Sequence, residues 1–218
     1  MEFSITLIIV IITSIISVSG FSNQKIINDL IFYPPAVSQR NQWYRFFSCG
    51  LIHADVAHLI FNMLSLYLFG EMVENEFVEI FGKYGKAFYL GMYVLALLVS
   101  LLPTYFKNRH NYHYRSLGAS GAVSAVVFAG LLIAPDSTIG FFFIPPFIPG
   151  FIFAPLYLIL SAMLEKRGGD NINHSAHIWG ALFGMAFLIV VGKLVADHDA
   201  ISEFMDRVQG YLIRKGWM

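Results

Sequence analysis

Six long apolar runs dominate this sequence, and they limit what it can fold into more than any other feature. A helix that crosses the roughly 30 Å hydrocarbon core of a bilayer needs about 20 mainly apolar residues. The six runs cover residues 3–20, 57–73, 87–105, 117–134, 139–164 and 175–195. Only 13% of the 218 residues are charged, whereas a soluble domain carries roughly a quarter. The sequence therefore predicts an all-α, polytopic membrane protein with six transmembrane helices.

Residues 1–195 are predicted to form one membrane domain, in which segment 21–56 joins the first two spans. This segment is rich in aromatic residues such as Trp43, which favour the membrane–water interface, so we interpret it as a long interfacial loop. Residues 196–218 alternate charged and apolar side chains, as in a short surface helix. The fifth run should be kinked or partly non-helical because it contains four prolines. They are Pro145, Pro146, Pro149 and Pro155.

Charge and cysteine content exclude several kinds of partner and metal site. Fourteen Lys and Arg balance fourteen Asp and Glu, and no long run of one sign occurs, so nucleic acid is not an expected partner. The single cysteine, Cys49, cannot form an intramolecular disulfide or a thiolate cluster, and we expect it to be buried. Because no HExxH motif occurs either, we predict no metal site.

Polar side chains inside the predicted spans are costly to place in lipid, so each is a candidate for function. His58 and Asn62 stand four residues apart in the second span, hence on one helical face, and His53 precedes that helix. The two side chains on one face could donate hydrogen bonds into a common pocket. A structural interpretation, in which they make polar contacts between helices, stays open.

A glycine-flanked serine begins the fourth span, in the segment Gly118-Ala119-Ser120-Gly121. Glycine lets a second backbone or a substrate approach closely, and a helix N-terminus has unpaired N–H groups that suit a developing oxyanion. Small residues continue along the same helix face, for example at Ala125. The same pattern could instead serve only close helix packing.

His177 opens the sixth span and is followed after three and seven residues by Gly180 and Gly184. The face that carries the imidazole therefore admits a close neighbour. If the small residues that follow Ser120 pack there, hydroxyl and imidazole can meet, and neutral imidazole can accept the serine proton near pH 7. The sequence thus predicts Ser120 as nucleophile and His177 as general base, with a plain interhelical contact as the alternative for His177.

These three groups, in this order and on these spans, resemble the rhomboid family of intramembrane serine proteases. The resemblance covers about residues 43 to 184 and rests on three motifs. H-x4-H-x3-N matches His53, His58 and Asn62; G-x-S-G matches Gly118, Ser120 and Gly121; AH-x2-G-x3-G matches Ala176, His177, Gly180 and Gly184. It implies a six-helix rhomboid-like bundle and a serine endopeptidase with a Ser-His dyad, no acidic third member and no cofactor.

The resemblance also implies roles for residues beyond the dyad. The Ser120 amide, His58 and Asn62 would bind the oxyanion. His53 would be a structural residue near the entrance of the site. Glu74, at the end of the second span, would hydrogen-bond a neighbouring helix.

Two positions depart from the family pattern. The Trp-Arg pair expected in the long loop reads Tyr44-Arg45, with Trp43 one position early, so the anchoring of this loop should differ in detail. Ser124 replaces a tyrosine that supports the histidine in many relatives, so the packing of His177 should differ as well.

Partners and location follow from the same resemblance. It implies single-span transmembrane proteins as substrates, contact with membrane lipid, and a bacterial inner membrane with both termini in the cytoplasm. Charge gives a weak opposite indication, because the side that holds the termini would carry six Lys and Arg and the other side eight. We follow the resemblance here.

Two other functions explain part of the pattern. A non-catalytic member of the same superfamily would bind transmembrane helices without cutting them, but such proteins typically lack the serine or the histidine, and both are present here. A transporter that uses intramembrane histidines would explain the embedded polar residues but not the G-x-S-G motif.

Overall fold

The computed structural model describes residues 4–141, 144–169 and 172–218. Within them most residues are helical, as predicted. The α-helices are α1 (Ile5–Phe21), α2 (Gln24–Leu30), α3 (Pro34–Arg40), α4 (Arg45–Ser48), α5 (Val56–Phe81), α6 (Gly85–Asn108), α7 (Ser120–Ile133), α8 (Gly150–Arg167), α9 (His174–Ala196) and α10 (Ala200–Arg214). Short 3-10 turns cover Cys49–Leu51 and Gly82–Tyr84, and β1 (Thr138–Phe141) pairs antiparallel with β2 (Ile144–Pro149).

Each predicted span overlaps one helix. In chain order these helices are α1, α5, α6, α7, α8 and α9. Phe3, the first residue of the first predicted span, lies outside the described residues. Two helical stretches, Val56–Asn108 and His174–Ala196, are long and apolar enough to cross a membrane. The first of them comprises α5 and α6 with the turn between them. The apolar helices are those expected of an integral membrane protein.

The prediction for the fifth span is wrong in its first half. Residues 139–141 and 144–149 form most of the two paired strands of a β-hairpin, and the helix begins only at Gly150. Proline has no N–H to donate within a helix, and Pro145, Pro146 and Pro149 all lie in the hairpin. Pro149 becomes the N-cap residue of α8, whereas Pro155 is retained inside that helix. The predicted non-helical part is thus present, but as paired strands.

Segment 21–56 is more ordered than a loop, because it contains α2, α3, α4 and a 3-10 turn. Phe32 and Phe46 are fully buried in it, with ring centroids 5.0 Å apart, and Phe46 also packs edge-on against Tyr105 of α6. Trp43 and Tyr44 stay about half exposed. Cys49 is buried, as predicted. The segment is thus a small packed unit that covers the end of α6.

Helix α7 lies in the centre of the bundle, between α5, α6 and α9. Glycine makes its contact with α9 close. A Cβ atom on Gly180 would collide with the carbonyl oxygen of Gly121, and one on Gly184 would collide with the carbonyl oxygen of Ala125. Because the two backbones touch along this line, the first turn of α9 lies beside the first turn of α7.

Helix α10 packs on the end of the bundle where α7 and α9 finish. Two of its arginines, Arg207 and Arg214, form ion pairs with Asp136, which follows α7, at 3.7 and 3.0 Å. Tyr211 meets Phe151 at the start of α8, with ring centroids 5.5 Å apart. Helix α10 is therefore fastened to the segment that follows α7 and to the start of α8.

Candidate active site

The hydroxyl of Ser120 and the imidazole of His177 meet at the start of α7 and α9. The distance from Ser120 Oγ to His177 Nε2 is 2.7 Å, a normal hydrogen bond. Among the described residues no acidic side chain hydrogen-bonds to His177; the ring of His174 lies edge-on to it, 6.0 Å away. This geometry allows a proton to pass from the hydroxyl to the imidazole.

The first turn of α9, which carries His177, is held by Asn173. The side chain of Asn173 caps this helix by accepting the Ala176 N–H at 3.1 Å, and it also accepts the hydroxyl of Thr104 from α6 at 3.1 Å. Sequence reasoning missed Asn173. An asparagine just before an apolar helical run is an N-cap signal that could have identified it.

His58 and Asn62 line the same cavity as Ser120 and His177. The Asn62 side chain donates one amide N–H to the carbonyl of His58 at 2.9 Å, which leaves its second N–H available. The Ser120 N–H lies in the first turn of α7, where backbone donors have no partner within the helix. Three groups that can donate hydrogen bonds thus belong to residues that line the cavity of the hydroxyl.

Gly118 lets His58 approach the segment that precedes Ser120. Its φ of +112° lies in the region that favours glycine, and an added Cβ atom would lie 2.8 Å from Cε1 of His58. Gly121 has a similar role on the other side of Ser120, because a Cβ there would collide with the hydroxyl of Ser100. Both glycines of the G-x-S-G motif are therefore required by close contacts.

His53 is buried behind the nucleophile and is connected to it through the backbone. Its Nε2 lies 3.4 Å from the N–H of Ala119, and its Nδ1 lies 2.9 Å from the hydroxyl of Ser17 in α1. Burial, with a smaller effect of the nearby His58, lowers the pKa of His53 to about 4, although Asp55 acts in the opposite direction. His53 is therefore neutral at physiological pH.

Arg45 and Glu74 lie away from the dyad, where each supports a neighbouring element. The Arg45 guanidinium is buried and donates to the carbonyls of Asn28 and Ile31 at 3.0 and 2.7 Å, which ties α4 to α2. Glu74 of α5 accepts hydrogen bonds from three groups at the N-terminus of α1, at 2.8 to 3.0 Å. The donors are the hydroxyl of Ser4 and the amides of Ile5 and Thr6.

Ser124 lies one turn after Ser120, and its partner comes from α8 rather than α9. Its hydroxyl is hydrogen-bonded to the hydroxyl of Tyr157, which also reaches Ser161 on its own helix. Sequence reasoning missed Tyr157, since no local pattern joins residues of α7 and α8.

The cavity around the dyad has a volume of about 1450 Å³ and extends from the site along the space between α5 and α8. Its end at the dyad is polar and includes Asn173, whereas the part between the helices is lined by apolar residues such as Leu68 and Phe153. The cavity thus adjoins the dyad and is also lined by residues of α5 and α8.

Comparison with known proteins gives consistent matches. Residues 40–194 match the Rhomboid domain family. The chain is 28% identical over 167 residues to rhomboid protease GlpG of Haemophilus influenzae. The aligned region covers 76% of this chain and 78% of that protein. The chain is 31% identical over 148 residues to RHOMBOID-like protein 12, mitochondrial, of Arabidopsis thaliana, which covers 59% of this chain but only 40% of the plant protein. Since the domain match takes in more than half of the sequence, this chain belongs to the rhomboid family.

Proposed function

We propose that this chain is an intramembrane serine endopeptidase that hydrolyses peptide bonds in or near the transmembrane segments of single-span membrane proteins. The observation that carries the proposal is the 2.7 Å contact between Ser120 Oγ and His177 Nε2. Membership of the rhomboid family and the similarity to a relative named as a protease, GlpG, support the same reaction class.

The proposed chemistry uses His177 first as a base and then as an acid. His177 takes the proton from Ser120 while the oxygen attacks the substrate carbonyl carbon. His177 then gives this proton to the leaving amine, and a water molecule hydrolyses the acyl-enzyme by the same steps. The two residues suffice for this cycle, so neither a metal nor a cofactor is required.

The oxyanion formed in each step needs donors fixed in advance. The Ser120 N–H, His58 and Asn62 are the proposed donors, because all three residues line the cavity next to the hydroxyl. Donors held by the fold need no reorganisation during the reaction, and this makes them worth more than the same groups in water.

The proposed topology has six membrane crossings, made by α1, α5, α6, α7, α8 and α9. Residues 1–195 would then be one membrane domain, and 196–218 would be a surface segment on the side opposite the dyad, since α10 packs where α7 and α9 finish. In a bacterial inner membrane, with membrane lipid around the bundle and both termini cytoplasmic, the dyad would face the outer side. Proteins of one span would enter between α5 and α8, where the cavity extends.

The direct test is cleavage of a model single-span substrate by the purified protein in liposomes, with the cut site read by mass spectrometry. We expect one main cut within or next to the transmembrane segment, and none with Ser120→Ala. A cut that persists in Ser120→Ala would contradict the proposal, because it would come from another enzyme or another residue.

A further inference from the structure

A chain of hydrogen bonds links the first helix to the backbone that holds the nucleophile. It starts at Ser17 of α1, whose hydroxyl lies 2.9 Å from the carbonyl oxygen of Leu51 and 2.9 Å from Nδ1 of His53. It ends at Ala119, the residue before Ser120, whose N–H points to Nε2 of His53 at 3.4 Å. Ser17 is fully buried and His53 is 1% exposed, so water cannot substitute for these partners.

The direction of every bond in this chain follows from one fixed donor. A backbone N–H can only donate, so Nε2 of His53 must be the ring nitrogen without a proton. A neutral imidazole then carries its proton on Nδ1 and donates it to the oxygen of Ser17. The hydroxyl of Ser17 is left to donate to Leu51, the partner found at 2.9 Å. The donor and the acceptor of each hydrogen bond in this series are therefore fixed, and the assignments agree with one another.

Residues 49–53, which include His53, also hold Gly118, the residue before Ala119. The N–H of Gly118 donates to the carbonyl of Cys49 at 2.9 Å. Residues 49–53 thus bind two successive amides, those of Gly118 and Ala119. Ser17 in turn hydrogen-bonds to two residues of this segment. A shift of this segment would move Ser120 relative to His177.

We propose that Ser17 is a positioning residue for the nucleophile: it keeps His53 in the tautomer whose free ring nitrogen accepts the N–H of Ala119. This inference rests on the proposed function, and it adds a residue of α1 to the machinery. Without the hydroxyl, the opposite tautomer would become accessible, and its Nε2–H would face the Ala119 N–H donor to donor. The backbone before Ser120 would then move, which affects the chemical step more than substrate binding.

The matched controls lie on the same helix. Thr13 is buried on α1, and its hydroxyl has no hydrogen-bond partner among the described residues, so Thr13→Val removes a buried hydroxyl without breaking a bond. Ser19 is exposed, and within the described part of the chain its hydroxyl bonds the carbonyl of Ile15 in its own helix, so Ser19→Ala removes a serine hydroxyl of no proposed role. Ser17→Thr keeps the hydroxyl and serves as the conservative variant.

The first measurement is the tautomer of His53 itself, read from the ¹⁵N resonances of histidine-labelled protein and assigned by comparison with His53→Gln. It needs no activity and can be made in the inactive Ser120→Ala background. We expect wild-type His53 to be protonated on Nδ1 and unprotonated on Nε2, and Ser17→Ala to show a mixture. A wild-type ring that is protonated on Nε2 would overturn the proposal.

The second measurement is the cleavage rate of the same variants. In Ser17→Ala we expect kcat to fall roughly tenfold, the effect of one typical hydrogen bond, with KM nearly unchanged. Ser17→Thr should restore most of the rate, and Thr13→Val and Ser19→Ala should match the wild type. A Ser17→Ala variant with wild-type kcat would overturn the positioning role. Wild-type protein that does not cleave at all would instead contradict the proposed function, and the tautomer result would still stand as a test of the hydrogen-bond chain.

Discussion

The hydroxyl of Ser120 and the imidazole of His177 are 57 residues apart in the sequence and 2.7 Å apart in the structure. Their contact depends on the glycines of α9, which let its backbone touch that of α7 at Gly121 and Ala125. The geometry of the candidate site is therefore tied to this close contact between α7 and α9.

Because the dyad depends on this contact, we predict that one added methyl group on α9 moves His177 away from Ser120. Gly180→Ala places a Cβ against the carbonyl of Gly121, and backbone atoms on both sides cannot move aside as a side chain would. We expect a stability loss of about 1–3 kcal/mol and a large loss of cleavage, measured by thermal unfolding and by kcat. Gly91→Ala in α6 is the control, since a Cβ there meets nothing within 4 Å and should leave both quantities close to wild type. Equal stability and equal kcat in the two variants would show that α7 and α9 are not in close backbone contact at Gly180.

The oxyanion donors predict a graded effect. Loss of one donor typically lowers turnover by about 10² to 10³, far less than loss of the nucleophile. His58→Ala and Asn62→Ala should therefore keep measurable cleavage and a wild-type melting temperature, while Ser120→Ala should keep none. If both variants lost activity completely and also melted at lower temperature, the two residues would be structural rather than catalytic.

The cavity between α5 and α8 predicts the route of substrate entry. Cysteines introduced at Leu68 and Phe153, which both line this cavity, can be joined by a bifunctional thiol reagent. We expect the crosslink to slow cleavage of a transmembrane substrate, because the substrate helix must pass between the two helices. Labelling of Ser120 by a small water-borne fluorophosphonate serves as the control and should persist. Unchanged cleavage at complete crosslinking would mean that substrates enter elsewhere.

The buried His53 predicts how stability depends on pH. Burial lowers the pKa of His53 from 6.5 to about 4, so on acidification the unfolded chain takes up a proton before the folded one does. The free energy of unfolding should thus fall as pH drops from about 6.5 to about 4, by at most about 3 kcal/mol, and then level off. The charged and titratable neighbours of this ring are Asp55 and His58.

Thermal unfolding of detergent-solubilised protein across this pH range measures the effect. His53→Gln keeps a donor and an acceptor but does not titrate, so its stability should depend less on pH than that of the wild type. The exposed His110 supplies the control, because His110→Gln should follow the wild-type curve. Parallel curves for wild type and His53→Gln would contradict the assignment of a neutral, buried His53.

Much of the fold could be predicted because its signals are local. Apolar length marks the helices, and small residues at four-residue spacing after Ser120 and the glycines after His177 mark the two faces that pack together. The hairpin before α8 was only half predictable. Prolines exclude a helix there, but the pairing of β1 with β2 is a contact between separate segments, and no alternation marks either strand.

The supporting residues of the site were harder to predict, for different reasons. Asn173 has a recognisable cap position, so it could have been found. Ser17 is one of several hydroxyl residues in α1, and only the packing of α1 on residues 49–53 shows which of them faces His53. Tyr157 meets Ser124 across two helices, a contact that depends on how α8 lies against α7.

The most direct test of the central claim is fluorophosphonate labelling of Ser120, with the modified residue identified by mass spectrometry. If His177 activates this serine, labelling should occur in the wild type and be lost in both Ser120→Ala and His177→Ala, and the double variant should cleave no worse than either single one. Thermal unfolding confirms that each variant is folded. Strong labelling of Ser120 in a correctly folded His177→Ala protein would contradict the dyad.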